Sequence, residues 1–327
     1  MPDETSTSAD AAWYDVVIVG GGAAGLSAAV YTGRAGRSTL VLERSFLGGQ
    51  IALTDLIANY PGFPEGIDGP ELVQLMEKQA RRFGAEIAYA DVTAIEADDR
   101  VKTVRTTDAA YRTPIVILAT GADPRKLGVP GEDRLRGKGV SYCGTCDGPF
   151  FRDQRVVVVG GGDSALKEAL FLTGFASAVT IVHRRQGLRA EKIYQDRCRA
   201  HPKITFVLDA VVEEIAGDDH VEAVQTKNVQ TGETGRIDTD GVFIFIGSIP
   251  NTGFLGEGFC EMDETGHLRT NEDTGTSVQG VYAVGDVRHG SYRQIATAVG
   301  EGVTAAMAAE HLLTDWGYEP GSADAAS

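Results

Sequence analysis

Two stretches of the chain repeat one pattern of apolar and permissive positions. Residues 16–44 read "VVIVGGGAAGLSAAVYTGRAGRSTLVLER" and residues 156–184 read "VVVVGGGDSALKEALFLTGFASAVTIVHR". They align without a gap at a constant offset of 140 positions. Each predicts an apolar strand, a glycine turn, a helix and a second apolar strand, the βαβ unit that binds dinucleotides. A second pair, "VILATGADP" (116–124) and "VFIFIGSIP" (242–250), predicts a strand ending in Gly-x-x-Pro, where proline stops regular structure. Further on, "GVYAVGDV" (280–287) predicts one more strand, and "QIATAVGEGVTAAMAAEHLL" a helix of small and apolar residues. The expected fold is α/β, with two Rossmann-like dinucleotide-binding domains of the three-layer ββα type, one inserted into the other. The first domain takes residues 14–122 and 251–318, and the inserted one 123–250. Residues 1–13 and 319–327 are expected to be disordered tails.

Composition narrows the function. The 327 residues are 43% hydrophobic and 23% charged, as in a globular protein of two domains. No apolar run approaches the roughly 18 residues of a membrane span. The polar, acidic start "MPDETSTSADAAWYD" has neither a basic nor an apolar export region, so a cytosolic location is expected. A formal net charge of −16 argues against nonspecific nucleic-acid binding. Of four cysteines, Cys143 and Cys146 form a Cys-x-x-Cys pair, while Cys198 and Cys260 read as ordinary thiols. One pair without accompanying histidines is weak evidence for zinc, so no metal is expected. The pair alone does not decide between a structural disulfide, a metal half-site, a redox couple and two unrelated thiols.

The glycine turns carry more information. In Gly20-x-Gly22-x-x-Gly25, Gly20 permits the tight turn, Gly22 lets the backbone approach a pyrophosphate, and Gly25 lets the helix pack on the strand. The phosphate then meets the helix N-terminus, whose free N–H groups favour anions. Glu43 ends the next strand, placed to accept hydrogen bonds from ribose hydroxyls. In the second copy the turn is Gly160-x-Gly162-x-x-Ala165. The position matching Glu43 is His183, followed by Arg184, Arg185 and Arg189. A carboxylate there would repel a ribose 2′-phosphate, whereas guanidinium groups bind it by charge-assisted hydrogen bonds. The first copy therefore favours an unphosphorylated adenosine ribose and the second NADPH.

The ordered motifs are Gly-x-Gly-x-x-Gly, Gly-Gly-Gln (48–50), Ala-Thr-Gly (119–121), Cys-x-x-Cys-Asp (143–147), Gly-x-Gly-x-x-Ala, His-Arg-Arg-x-x-x-Arg (183–189), Gly-Asp (285–286) and Tyr-Arg-Gln (292–294). From about residue 14 to about residue 315, the chain resembles the low-molecular-weight thioredoxin reductases. The resemblance implies FAD in the first domain, NADPH in the inserted one, a homodimer, and thioredoxin as disulfide substrate. It assigns to FAD the loop residues Gly20, Gly22, Ala24 and Gly25, the strand-end residues Glu43 and Arg44, and Gly49, Gln50, Asn59, Thr120 and Gly121. Gly285, Asp286, Arg293, Gln294 and Ile295 complete that set, the last three at the flavin ring. To NADPH it assigns Gly160, Gly162, Asp163, Ser164, Ala165, His183, Arg184, Arg185, Arg189 and Gly247. The chain departs from the pattern in three places. Gly144 stands where many members have Ala, Lys167 where they often have Glu (beside the retained Glu168), and "VRHGS" (287–291) precedes Tyr292.

By this resemblance Cys143 and Cys146 form a redox disulfide, with Cys146 facing the flavin and Cys143 attacking thioredoxin. Asp147 is the candidate general acid–base, a position that also suits a helix N-cap. Disulfide and nicotinamide share one domain and one flavin target, so the Gly-x-x-Pro crossings at 121–124 and 247–250 are expected hinges. Rival readings are a related flavoprotein serving another disulfide protein or using another donor, and a noncatalytic nucleotide sensor. The sensor would need neither the cysteines nor Asp147.

Overall fold

The computed structural model describes residues 11–54 and 56–321. The expectations of disorder for residues 1–10 and 322–327 lie outside the described residues. The described chain divides into two compact units, one of residues up to Asp123 and from Ile249 onward, the other Pro124–Ser248. The crossings fall inside the short strands Ala122–Pro124 and Ser248–Pro250. Six α-helices occur among the described residues: α1 (Ala23–Arg34), α2 (Gly69–Arg82), α3 (Gly144–Asp147), α4 (Asp163–Leu172), α5 (Lys192–Ala200) and α6 (Ile295–Asp315).

The first unit is built on a parallel five-stranded sheet. Its strands lie in the order Val281–Ala283, Ile115–Leu118, Val16–Val19, Thr39–Glu43, Glu86–Tyr89. The central strands are continuous apolar runs because both faces are covered; Val17, Ile18, Val41, Ile115 and Val116 are fully buried. On one side α1 packs tightly against α6, since a Cβ at Gly302 would overlap the Ala24 carbonyl. A second sheet orders Ala12–Trp13, Ala110–Thr113, Val101–Thr106 and Val92–Asp98.

The inserted unit repeats this plan. Its parallel sheet runs Val140–Ser141, Gly241–Ile244, Arg155–Val159, Ala178–His183, Ile204–Leu208. An antiparallel meander follows, Ala210–Ala216, Ala223–Asn228 and Thr234–Asp238.

The expected N-terminal tail differs from the structure at its end. Ala12 and Trp13 form a strand paired with Tyr111 and Arg112. The cause is a buried anchor: Trp13 Nε1 donates to the Tyr318 hydroxyl (2.8 Å), which donates to Asp15 Oδ1 (2.7 Å). The Gly321 amide donates to the same oxygen at 2.9 Å, so the ordered chain also runs past 318. No helix among the described residues is long and apolar enough to cross a membrane.

Candidate active site

In the first unit the glycine loop has the geometry its spacing demands. Gly20 adopts φ +104°, and a Cβ there would strike the Ala119 carbonyl, so only glycine serves. Gly25 packs on the Gly20 carbonyl, while Gly22 has open space where a Cβ would sit. Ala24 is buried in the first turn of α1, whose N-cap, Gly22, supplies no side-chain hydrogen bond. The first amides of α1 thus face an open approach that suits an anion. At the neighbouring strand end, Glu43 Oε2 accepts from the Gly21 amide (2.8 Å) and Oε1 from the Ser45 amide (3.0 Å). Arg44 beside it is exposed.

Distant segments meet around this loop. Gly49 (φ +54°) and Gly121 (φ +68°) both leave open space. Gln50 Nε2 donates to Asp123 Oδ1 at 3.0 Å, and Asn59 Nδ2 to Gln294 Oε1 at 3.2 Å. The Thr120 hydroxyl is buried without a hydrogen-bond partner, an orphan that fits a polar group of a bound cofactor. Burial pushes the Asp286 carboxyl above the usual range, and the Ser291 hydroxyl, donating at 3.2 Å, pulls it the other way. Gln294 caps α6 without a side-chain hydrogen bond, so the amides from Ile295 onward present a helix N-terminus. Arg293, just before it, takes the left-handed conformation (φ +55°).

In the inserted unit, Gly160 (φ +152°) lies against the Phe245 carbonyl and the Ala165 methyl, and Gly162 is open. Asp163 begins α4 and its Oδ1 accepts the Glu191 amide at 2.7 Å; Ser164 is exposed. The Arg189 amide donates to the Gly161 carbonyl at 2.7 Å, tying the arginine loop to the glycine loop. Arg184, Arg185 and Arg189 are exposed, and among the described residues none pairs with a carboxylate. His183 does not join them. Its ring lies under Gly161, where a Cβ would collide with it, and is 7% exposed. Burial lowers its pKa, and its Nε2 has no partner. His183 and Glu43 therefore occupy the same place, each against the middle glycine of its loop. Gly247 takes φ +111° and its carbonyl accepts the Arg125 amide at 2.9 Å.

Cys143 and Cys146 are joined as a disulfide with Cα atoms 5.3 Å apart. They follow the strand Val140–Ser141, at the carboxyl end of the parallel sheet that also carries Gly160. Cys143 caps α3: its Sγ accepts the Cys146 amide at 3.1 Å and its carbonyl the Asp147 amide at 3.1 Å. An amide aimed at Sγ favours a thiolate on that sulfur once the bond opens. Both cysteines are half-buried, as is Asp147. Burial raises the Asp147 pKa, opposed by the neighbouring Ser141 hydroxyl. Cys198 and Cys260 are buried free thiols away from the pair.

Three supporting residues escaped the sequence reading. Glu132 is almost fully buried and accepts the Leu127 and Gly128 amides (2.9 and 2.7 Å) and the Tyr142 hydroxyl (2.7 Å), fixing the residue before Cys143. Glu301, on α6, accepts the Gly285 amide (2.6 Å) and pairs with Arg288 (2.8 Å). Ser291 joins Asp286 to the Arg293 amide, so the unusual segment 287–291 supports the site. Each is a lone polar residue in an unremarkable context, and only the three-dimensional contact reveals its use. Among the described residues, no cluster of His, Cys, Asp or Glu could hold a metal ion.

Comparison with known proteins agrees with this arrangement. The model of the pyridine nucleotide-disulphide oxidoreductase family matches residues 14–302. The thioredoxin reductase of Treponema pallidum is 49% identical over 92% of this chain and 97% of its own. That of Mycolicibacterium smegmatis is 47% identical over 92% and 97%. The crystal structure of the Streptococcus pyogenes thioredoxin reductase superposes with a TM-score of 0.88 at 46% identity, covering 93% of this chain and 99% of that one. With two glycine loops on two parallel sheets and a disulfide at the edge of one, the chain belongs to the pyridine nucleotide-disulphide oxidoreductases, in their thioredoxin reductase branch.

Proposed function

We propose that the chain reduces the disulfide of thioredoxin at the expense of NADPH, through FAD and the Cys143–Cys146 pair. The observation that carries this reading is the half-exposed disulfide at the carboxyl edge of the sheet bearing the second glycine loop. The residues of both loops fit their cofactors. In the first unit, Gly20, Gly22 and Gly25 with the N-terminus of α1 would hold the FAD pyrophosphate, and Glu43 the ribose. Gly49, Gln50, Asn59, Thr120, Gly121, Gly285 and Asp286 would line the remainder. The N-terminus of α6, after Arg293 and Gln294, would favour negative charge at the flavin ring. In the second, Gly160, Gly162 and the N-terminus of α4 would take the NADPH pyrophosphate, and Arg184, Arg185 and Arg189 the 2′-phosphate. FAD, when bound in the first unit, would supply a two-electron carrier between a hydride donor and a disulfide.

The remaining steps belong to the cysteines. The Cys143 thiolate, stabilised by the Cys146 amide, attacks one sulfur of the thioredoxin disulfide. A mixed disulfide forms and one thioredoxin sulfur leaves as thiolate. The Cys146 thiolate then attacks Cys143 Sγ, the second thioredoxin sulfur leaves, and the Cys143–Cys146 bond is restored. Asp147, beside Cys146 and with a pKa that burial raises, is placed to supply the proton to the departing thiolate. The working form is a cytosolic homodimer.

Stopped-flow mixing tests the function. NADPH should bleach the flavin absorbance of the purified protein, and oxidised thioredoxin should restore it. A flavin that NADPH bleaches but thioredoxin leaves reduced would move the activity to another disulfide partner.

A further inference from the structure

Gly144 lies between the redox cysteines, and Glu168 of α4 fills the space its missing side chain leaves. A Cβ built on Gly144 would overlap Glu168 Oε2. That contact keeps the oxygen within about 7 Å of the Cys143 Cα, since consecutive Cα atoms lie about 3.8 Å apart. Oε2 is buried and accepts no hydrogen bond. The missing side chain at Gly144 makes room for the carboxyl.

We propose that Glu168 is a positioning residue of the redox centre: seated in the Gly144 notch, it sets by its own charge how much of the reduced Cys143–Cys146 pair is thiolate. The inference rests on the pair being redox-active, as read above.

The surroundings leave Glu168 to titrate under burial alone, which raises its pKa. Cys143 caps α3, Cys146 and Asp147 lie on it, Tyr194 and Cys198 lie on α5, Lys167 on α4 itself, and Arg155 and His183 on the adjoining strands. None of these charges offsets the burial. Lys167 turns to the Tyr194 ring, 4.7 Å from its centroid. At low pH the neutral acid does not oppose a thiolate. Once ionised, it repels a thiolate at this range and raises the thiol pKa by about one unit, which lowers the thiolate fraction about tenfold. The ionised carboxyl therefore lowers the thiolate fraction of the reduced pair until a partner engages it.

The test uses the FAD-loaded protein, reduced with dithiothreitol and freed of it without air. A short iodoacetamide pulse from about pH 5 to 10 labels the thiolates, and mass spectrometry counts label on Cys143 and Cys146. Glu168→Gln should follow the wild type at the acid end and label about tenfold faster at the higher pH values, where the wild-type carboxyl is ionised. Gly144→Ala, which expels the carboxyl from the notch, should move the same way and carries the test if Glu168→Gln does not fold. Superimposed profiles, slower labelling of Glu168→Gln, or a Gly144→Ala profile that stays on the wild type's would overturn the proposal. The readout needs no thioredoxin. A wild type inert toward thioredoxin would sink the proposed function while leaving this result interpretable.

Discussion

Arg184→Gln with Arg185→Gln should cut a strong preference for NADPH over NADH by roughly 100-fold, leaving only what Arg189 contributes. Both side chains are exposed and, among the described residues, pair with no carboxylate, so the folded protein loses no ion pair when they go. The Arg189 amide would still hold the Gly161 carbonyl at 2.7 Å, and the loop should keep its shape. Each guanidinium offers the 2′-phosphate a charge-assisted hydrogen bond worth about 1.5–3 kcal/mol. Exposure and salt favour the lower end, so the pair contributes about 3 kcal/mol, or roughly 100-fold in affinity. NADH has no 2′-phosphate and should change by less than about twofold. The assay is the rate of flavin bleaching at subsaturating NADPH and NADH, with bound FAD confirmed by its spectrum. Equal loss with both nucleotides would mean that the arginines hold the fold or the pyrophosphate rather than the 2′-phosphate. No loss with either would place the nucleotide elsewhere.

Cys143→Ser and Cys146→Ser should each abolish thioredoxin reduction while leaving FAD bound, and only Cys146→Ser should trap thioredoxin as a stable mixed disulfide. Mass spectrometry locating the partner on Cys146 would reverse the roles. Asp147→Asn should slow turnover about 100-fold and remove from the pH–rate profile the fall that accompanies ionisation of a carboxyl whose pKa burial raises; an unchanged profile would leave Asp147 as a helix-turn residue only. Lys102, fully buried, has its pKa held at about 8 against about 10.4 in an unfolded chain, so stability should rise with pH between those values as the unfolded state binds the extra proton. Lys102→Met should add up to about 3 kcal/mol at pH 7, less what the ammonium gains from the Trp316 ring and the Asp99 carbonyl, and a gain in urea melts that persists undiminished at about pH 10.5 would refute the cause.

The legible parts of the sequence were those where local chemistry leaves few alternatives. Gly20 and Gly160 adopt φ values that a side chain tolerates poorly, and both press on a neighbouring carbonyl; the spacing therefore announced the loops. The strands were readable because burial on both faces demands unbroken apolar runs. The Glu43 and His183 alignment was also readable, but the fate of the histidine was not. Its spacing matched a ribose contact, whereas its ring is enclosed beneath Gly161 and only the three arginines reach solvent. Trp13 looked like the end of a polar tail because the partner that orders it, Tyr318, lies 305 positions away. Glu168 beside Lys167 read as one of two charged residues on a helix. That one is exposed and the other faces Gly144 depends on the packing of α3 against α4, which has no local signature.

The position of the redox pair follows from the repetition of the fold. In the first unit the outer strand Val281–Ala283 lies beside Ile115–Leu118 and runs into Gly285 and Asp286. In the inserted unit the outer strand Val140–Ser141 lies beside Gly241–Ile244 and runs into Cys143, Cys146 and Asp147. The two outer strands are equivalent in space but not in sequence: one arrives after its glycine loop and the other before. Strands of a parallel sheet end on one edge, and ligands gather there. Whatever follows the outer strand therefore emerges on the same edge as the glycine loop, in either order of the chain. In one copy the following segment carries the half-buried carboxyl of Asp286, and in the other a disulfide with its own carboxyl. The same half-buried setting raises the pKa of Asp286 and of Asp147. A fold selected to bring polar groups to a nucleotide has, in its second copy, brought a disulfide to the same edge.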